Sequence, residues 1–172
     1  MEIDSPFSDV LAANQTYSAT YQHGALKGRA LRGLAVLTCM DSRIDPLGMM
    51  GLSPGDAKIL RNAGARVTED VLRTLVLAVY LLGVTRVMIV AHTDCRMTVK
   101  DEETVHRAVA DAGGPDTRSL SFMTTSDLRG SLAQDVQKIR SSPYLRDLPI
   151  GGFIYHLDSG RLDEITCADP RP

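Results

Sequence analysis

Tryptophan is absent from the 172 residues and aromatic residues make up only 5% of them, which leaves no stacking platform of the kind that grips single-stranded nucleic acid. An excess of one charge is also missing. Nineteen Lys and Arg against twenty-one Asp and Glu give a formal charge of -2, too balanced a field to collect polyphosphate or an anionic membrane surface. Long apolar runs are lacking as well: Thr74 to Thr85, closed by Arg73 and Arg86, falls well short of the roughly 20 residues a transmembrane helix needs. Neither glycine-rich phosphate loop, Gly-x-Gly-x-x-Gly or Gly-x4-Gly-Lys-[Ser/Thr], occurs, so nucleotide binding has no motif to rest on. Nucleic acid and membrane are therefore not expected as partners. Cysteine is scarce, and its odd count at Cys39, Cys95 and Cys167 cannot complete a disulfide framework, which suits a reducing compartment. The N-terminus carries Glu2, Asp4 and Asp9 in place of the basic, apolar, small-residue order of a secretory signal, and a cytoplasmic protein is expected.

With 44% apolar and 23% charged residues, the chain suits one domain spanning residues 1–172. Leu34 to Thr38 is an unbroken apolar run, too short for a helix and bounded by Arg32-Gly33 and Asp41, as buried parallel strands read. Lys58 to Arg61 is a weaker strand ending in Asn62-Ala63-Gly64. A helix begins at Thr68, a capping residue followed by Glu69 and Asp70, and runs through Val71, Leu72, Leu75, Val76, Val79 and Leu82 to Gly83. Its apolar content predicts near-complete burial. Arg86 to Ala91 is the clearest strand and stops at His92. Strand, strand, helix, strand with short connections predicts an α/β fold: a mostly parallel central sheet with right-handed crossovers, flanked by helices. Asp101 to Ala112 and Asp127 to Ser141 read as further helices, and Phe153 to Ile165 as a C-terminal edge hairpin turning at Asp158-Ser159-Gly160. In residues 1–30, Val10, Leu11, Tyr17 and Tyr21 form only a broken stripe, which predicts a helical arm that calls for a partner surface; residues 166–172 read as a tail.

Sites in parallel sheets collect at the C-terminal strand ends. Cys39-Met40-Asp41-Ser42-Arg43 and His92-Thr93-Asp94-Cys95 both fall there. Cysteine and histidine are zinc's preferred side chains, and a His-x-x-Cys loop plus one distant cysteine supplies three ligands, the protein count of a catalytic zinc with an open fourth position. His23, His106 and His156 are read as surface residues, His106 on a solvated helix face. Met49 and Met50 read as core, Asp101-Glu102-Glu103 as the acidic start of a helix, and Cys167 as a spare thiol.

Taken together, Cys39-x-Asp41-x-Arg43, Arg61-Asn62-Ala63-Gly64 and His92-x-x-Cys95 resemble the β-class carbonic anhydrases, particularly their short bacterial and mycobacterial-like members. The resemblance runs from about Leu34 to Ile165. It implies one Zn2+ per chain held by Cys39, His92 and Cys95, a catalytic pair of Asp41 and Arg43, and reversible hydration of carbon dioxide to bicarbonate and a proton by a zinc-bound hydroxide. It implies a homodimer or higher even oligomer, with part of the pocket wall supplied by a second subunit. In some family members the aspartate moves onto zinc and closes the fourth position, a second state carried over for Asp41. One position departs from the family pattern: Arg96 follows Cys95 where glycine is common. The alternatives are hydrolysis of carbonyl sulfide or carbon disulfide on the same scaffold, a non-catalytic zinc scaffold in which Asp41 or Cys167 completes the shell, and a thiol switch pairing Cys39 with Cys95.

Overall fold

A computed structural model describes residues 5–145 and 147–165; the predicted tail, with Cys167, lies outside the described residues. Among the described residues five strands form one sheet: β1 (Leu34–Cys39), β2 (Ala57–Asn62), β3 (Arg86–His92), β4 (Ile150–Tyr155) and β5 (Leu162–Ile165), in the order β2-β1-β3-β4-β5. The first four are parallel and β5 is antiparallel to β4. This is the mostly parallel α/β sheet expected, with one refinement: β4 pairs with β3 along its whole length, so β5 alone is the C-terminal edge.

The helices follow their sequence signals. Helix α1 covers Ser8–Ala19, α2 Glu69–Leu82, α3 Glu102–Asp111 and α4 Leu128–Arg140. Thr68 accepts the Val71 N–H at the start of α2, Asp101 accepts from Thr104 for α3, and Asp127 accepts from Gly130 for α4, each satisfying a first-turn donor that has no helical partner. Gly83 ends α2 at φ +75°, in the left-handed region that an L side chain resists.

The two sheet faces are covered unequally. Ala35 and Leu37 of β1, Val87, Ile89 and Ala91 of β3, and Ile150 and Ile154 of β4 pack with Val71, Leu75 and Ala78 of α2 and Leu132, Val136 and Ile139 of α4 in the main core. On the opposite face, Leu34, Val36 and Val90 are joined by half-buried Ile59, Met88, Phe153 and Leu162, with cover from Met49, Met50 and Leu52 around a short 3-10 turn. Helix α2 departs from the near-complete burial that its composition predicts: Leu77, Tyr80 and Leu81 are exposed. Apolar content measures how much surface a helix offers for burial, and only tertiary packing decides how much is taken up. In α1 no residue is buried, and Phe7, Val10, Leu11 and Tyr17 stand exposed.

Candidate metal centre

Three strand-end positions converge. Cys39 is the last residue of β1, His92 the last of β3, and Cys95 follows three residues on; all three are buried. The ligand atoms of Cys39, His92 and Cys95 lie within 4.8 Å of one another. The two sulfurs are 3.9 Å apart, far beyond a disulfide's ~2.0 Å and close to the ~3.8 Å edge of a tetrahedron with Zn–S of ~2.3 Å. The His92 ring is 1% exposed. Its Nδ1 faces the Thr93 carbonyl at 2.8 Å; a carbonyl only accepts, so Nδ1 carries the hydrogen and Nε2 is left as a lone pair. That Nε2 is buried with no hydrogen-bond partner among the described residues. An orphaned acceptor costs free energy in an apolar setting, and a metal ion beside two thiol sulfurs removes that cost. These donors fit zinc.

Burial pushes the Cys95 thiol up to about 11, with the neighbouring Cys39 adding to the shift. A cation at the centre reverses that preference by taking the thiolate directly. The turn after β2 supports the centre: Gly64, at φ +76°, directs its N–H to Cys39 Sγ at 3.4 Å. That turn is closed by Asn62, which donates through Nδ2 to the Arg66 carbonyl and accepts the Arg66 N–H.

Asp41 and Arg43 lie at the mouth. Asp41 Oδ2 is 3.9 Å from His92 Nε2. The Arg43 guanidinium donates to both Asp41 oxygens, Nε to Oδ1 at 3.0 Å and Nη2 to Oδ2 at 2.7 Å, and the Arg43 N–H also reaches Oδ1. These bonds hold the Asp41 carboxyl well below the usual carboxylate range. Arg61 fixes the same turn from β2, donating to the carbonyls of Cys39 and Asp41.

The structure thus brings together all five sequence-selected residues, Cys39, Asp41, Arg43, His92 and Cys95. It adds groups the pattern did not single out. Asp94, inside the His-x-x-Cys loop, is a second partner of Arg43. Arg66 pairs with Asp135 of α4 at 2.6 Å, the carboxylate 5% exposed and also accepting the Val67 N–H; nothing in the local sequence marks Asp135, because its partners lie 68 and 69 positions away. His106 departs from its expected place on a solvated face: it is half-buried, its Nδ1 is 2.9 Å from Thr117 Oγ1, and its ring packs on Phe122. Arg96 is exposed and is not among the residues at positive φ, so this position makes no demand for glycine. A cavity of about 10 Å³, the size of one water, lies behind the centre between His92, Cys95, Met97, Met123 and Ser131.

Fold and site together define an α/β protein with a Cys-His-Cys cluster able to hold a metal ion at the C-terminal strand ends. The family model for carbonic anhydrase matches residues 34–112. The chain is 32% identical over 161 residues to beta-carbonic anhydrase 1 of Mycobacterium tuberculosis, covering 92% of this chain and 96% of that protein. It is 30% identical over 152 residues to a carbon disulfide hydrolase of Acidithiobacillus thiooxidans, with 76% of each covered. The crystal structure of a carbonic anhydrase from Streptococcus mutans superposes with a TM-score of 0.87 at 34% identity, covering 94% of this chain and 98% of that one. The chain belongs to the β-carbonic anhydrase family of enzymes.

Proposed function

We propose that this protein catalyses the reversible hydration of carbon dioxide to bicarbonate and a proton at one zinc ion held by Cys39, His92 and Cys95, assisted by Asp41 and Arg43. The observation that carries the metal reading is the buried His92 Nε2, without a hydrogen-bond partner among the described residues, beside two sulfurs that form no disulfide. Zinc in this setting supplies Lewis acidity that lets a water attack near neutral pH. Asp41 Oδ2, 3.9 Å from His92 Nε2, would accept a hydrogen bond from that water and so would orient its lone pair towards the substrate carbon. Arg43 keeps Asp41 ionised and aimed through its two-point fork. The buried sulfurs and the half-buried Leu157, Tyr155 and Met97 packed around them keep bulk water from the ligand side.

Stopped-flow carbon dioxide hydration on zinc-assayed protein, from about pH 6.5 to 9 around the ~7 pKa of an activated zinc water, tests the reading. Activity rising with pH supports it. Likeness to a carbon disulfide hydrolase supports a second substrate reading, so the same preparation is assayed for hydrogen sulfide release from carbon disulfide. Zinc-loaded protein silent in both assays favours the non-catalytic scaffold.

The partner proposed is a second copy of this chain. Two unpartnered apolar surfaces support it: the thinly covered sheet face, with a groove of about 530 Å³ along Leu34, Met50, Met88, Phe153 and Leu162, and α1 with its exposed Phe7, Val10, Leu11 and Tyr17. Residues 1–30 then act as an arm across the neighbour, beside a core of residues 31–165. Deleting residues 1–30 is expected to shift the mass measured by light scattering to that of a monomer; an unchanged mass removes the arm from the interface. The odd count of three cysteines, which completes no disulfide framework, supports a cytoplasmic site of action, and among the described residues no helix is long and apolar enough to cross a membrane.

A further inference from the structure

Arg43 is held from two sides. Asp41 takes Nε and Nη2, while Asp94 takes Nη1 through its carboxylate at 2.7 Å and Nη2 through its main-chain carbonyl at 3.1 Å. The guanidinium therefore spans from the turn after Cys39 to the loop between His92 and Cys95, 51 residues further along the chain. Asp94 sits at φ +55°, a left-handed conformation that aspartate and asparagine tolerate better than most residues. Its side chain is 80% exposed, so the Arg43 fork, not core packing, holds the carboxylate.

Cys39 and His92 are fixed by the sheet ladder, and Cys95 lies beyond it. The loop carrying Cys95 is tied to β4 by Thr93 N–H to the Tyr155 carbonyl, and to the segment after α3 by Thr125 N–H to the Met97 carbonyl. The tie towards the Cys39 turn is the Arg43 fork. We propose that Asp41, Arg43 and Asp94 form a charged staple across the mouth of the metal centre, joining the turn that follows Cys39 to the loop that carries Cys95 so that bound zinc escapes slowly. Asp94 is a positioning residue that acts through Arg43 and does not itself ligate. The staple rests on the zinc reading given above, and it assigns Arg43 a second task beside orienting Asp41. A forked but exposed ion pair supports a several-fold effect and not orders of magnitude.

The test is the rate at which zinc-loaded full-length protein loses its metal to excess 4-(2-pyridylazo)resorcinol, read from the colour of the zinc complex. Asp94→Asn keeps the left-handed tolerance and removes the charge. It is expected to release zinc at least about threefold faster than the unmodified chain, with Arg43→Ala at least as fast. The double variant is expected to be no faster than Arg43→Ala alone, because residues acting through one contact are non-additive. Raising ionic strength is expected to quicken release from the unmodified chain and to quicken it less in Asp94→Asn, which keeps only the Asp41 half of the ion pairing. A smaller effect of Asp94→Asn, or additive effects in the double variant, overturns the staple while leaving the zinc reading in place. An unmodified chain that takes up no zinc overturns both.

Discussion

The three metal-type ligands and the charged pair beside them sit at the same end of the sheet, yet they are placed by different physics. Cys39 and His92 are carried in by β1 and β3, whose register is fixed over consecutive residue pairs, and they are buried because those strands are. Asp41 and Arg43 have no such frame: they lie in a turn, and their positions are set by one another and by Asp94 and Arg61. Backbone geometry thus builds the cage and charge builds the apparatus at its mouth. The first is costly to disturb and cooperative with folding, while the second is adjustable without loss of the fold.

The sharpest way to break this comparison is to remove a member from each side. Cys39→Ser is expected to abolish stoichiometric zinc, measured by atomic absorption, and turnover with it; full zinc and activity would show that the cage is elsewhere. Asp41→Asn is expected to keep zinc and lower turnover by about 100-fold, the usual scale for a positioned proton acceptor. Near-normal turnover would leave the carboxylate as a surface feature.

A third perturbation asks whether the cage depends on support from α4. Arg66 and Asp135 are both nearly buried, at 13% and 5% exposure, and Arg66 closes the turn whose Gly64 N–H meets Cys39 Sγ. Asp135→Asn leaves the guanidinium without its counter-charge and is expected to cost about 3 kcal/mol of stability by denaturant titration. A loss under about 1 kcal/mol would show that water replaces the pair.

Legibility in the sequence followed a different divide, between local patterns and long-range partners. Strand ends, the helix cap at Thr68, the helix starts near Asp101 and Asp127, and the His-x-x-Cys loop were readable because each is a local pattern expressed over a few residues. Asp94 lay inside a quoted motif, but its bond to Arg43 links positions 51 apart, and no local period encodes that. The exposed Leu77, Tyr80 and Leu81 of α2 and the buried Asp135 of α4 mislead in opposite directions, since hydropathy reports a residue's transfer preference and not the partner it meets. Sheet order, with β1 between β2 and β3 and β3 at the centre, is likewise a property of pairing between distant segments.

The smallest expected effect separates the two regions by the sign of their response to pH in metal-free protein. Burial raises the Cys95 thiol from 9.0 to about 11, so its neutral form is favoured in the fold; the contribution is complete below about pH 9 and is lost as pH rises through 9 to 11. The carboxyls of Asp41 and Asp94 are lowered by Arg43, so their contribution is present above the ordinary carboxylate range and is lost as pH falls through it. Solvent screens this exposed cluster, and its share is the lesser of the two. Thermal melts of the metal-free chain are therefore expected to fall on the alkaline side, by about 2–4 °C for each kcal/mol lost in a domain of this size. Zinc loading should suppress that fall, because a metal-held thiolate no longer depends on being protonated. Asp94→Asn should leave the alkaline limb unchanged and flatten only the acid limb. An alkaline limb that moves with Asp94 would show that cage and mouth are one cooperative unit.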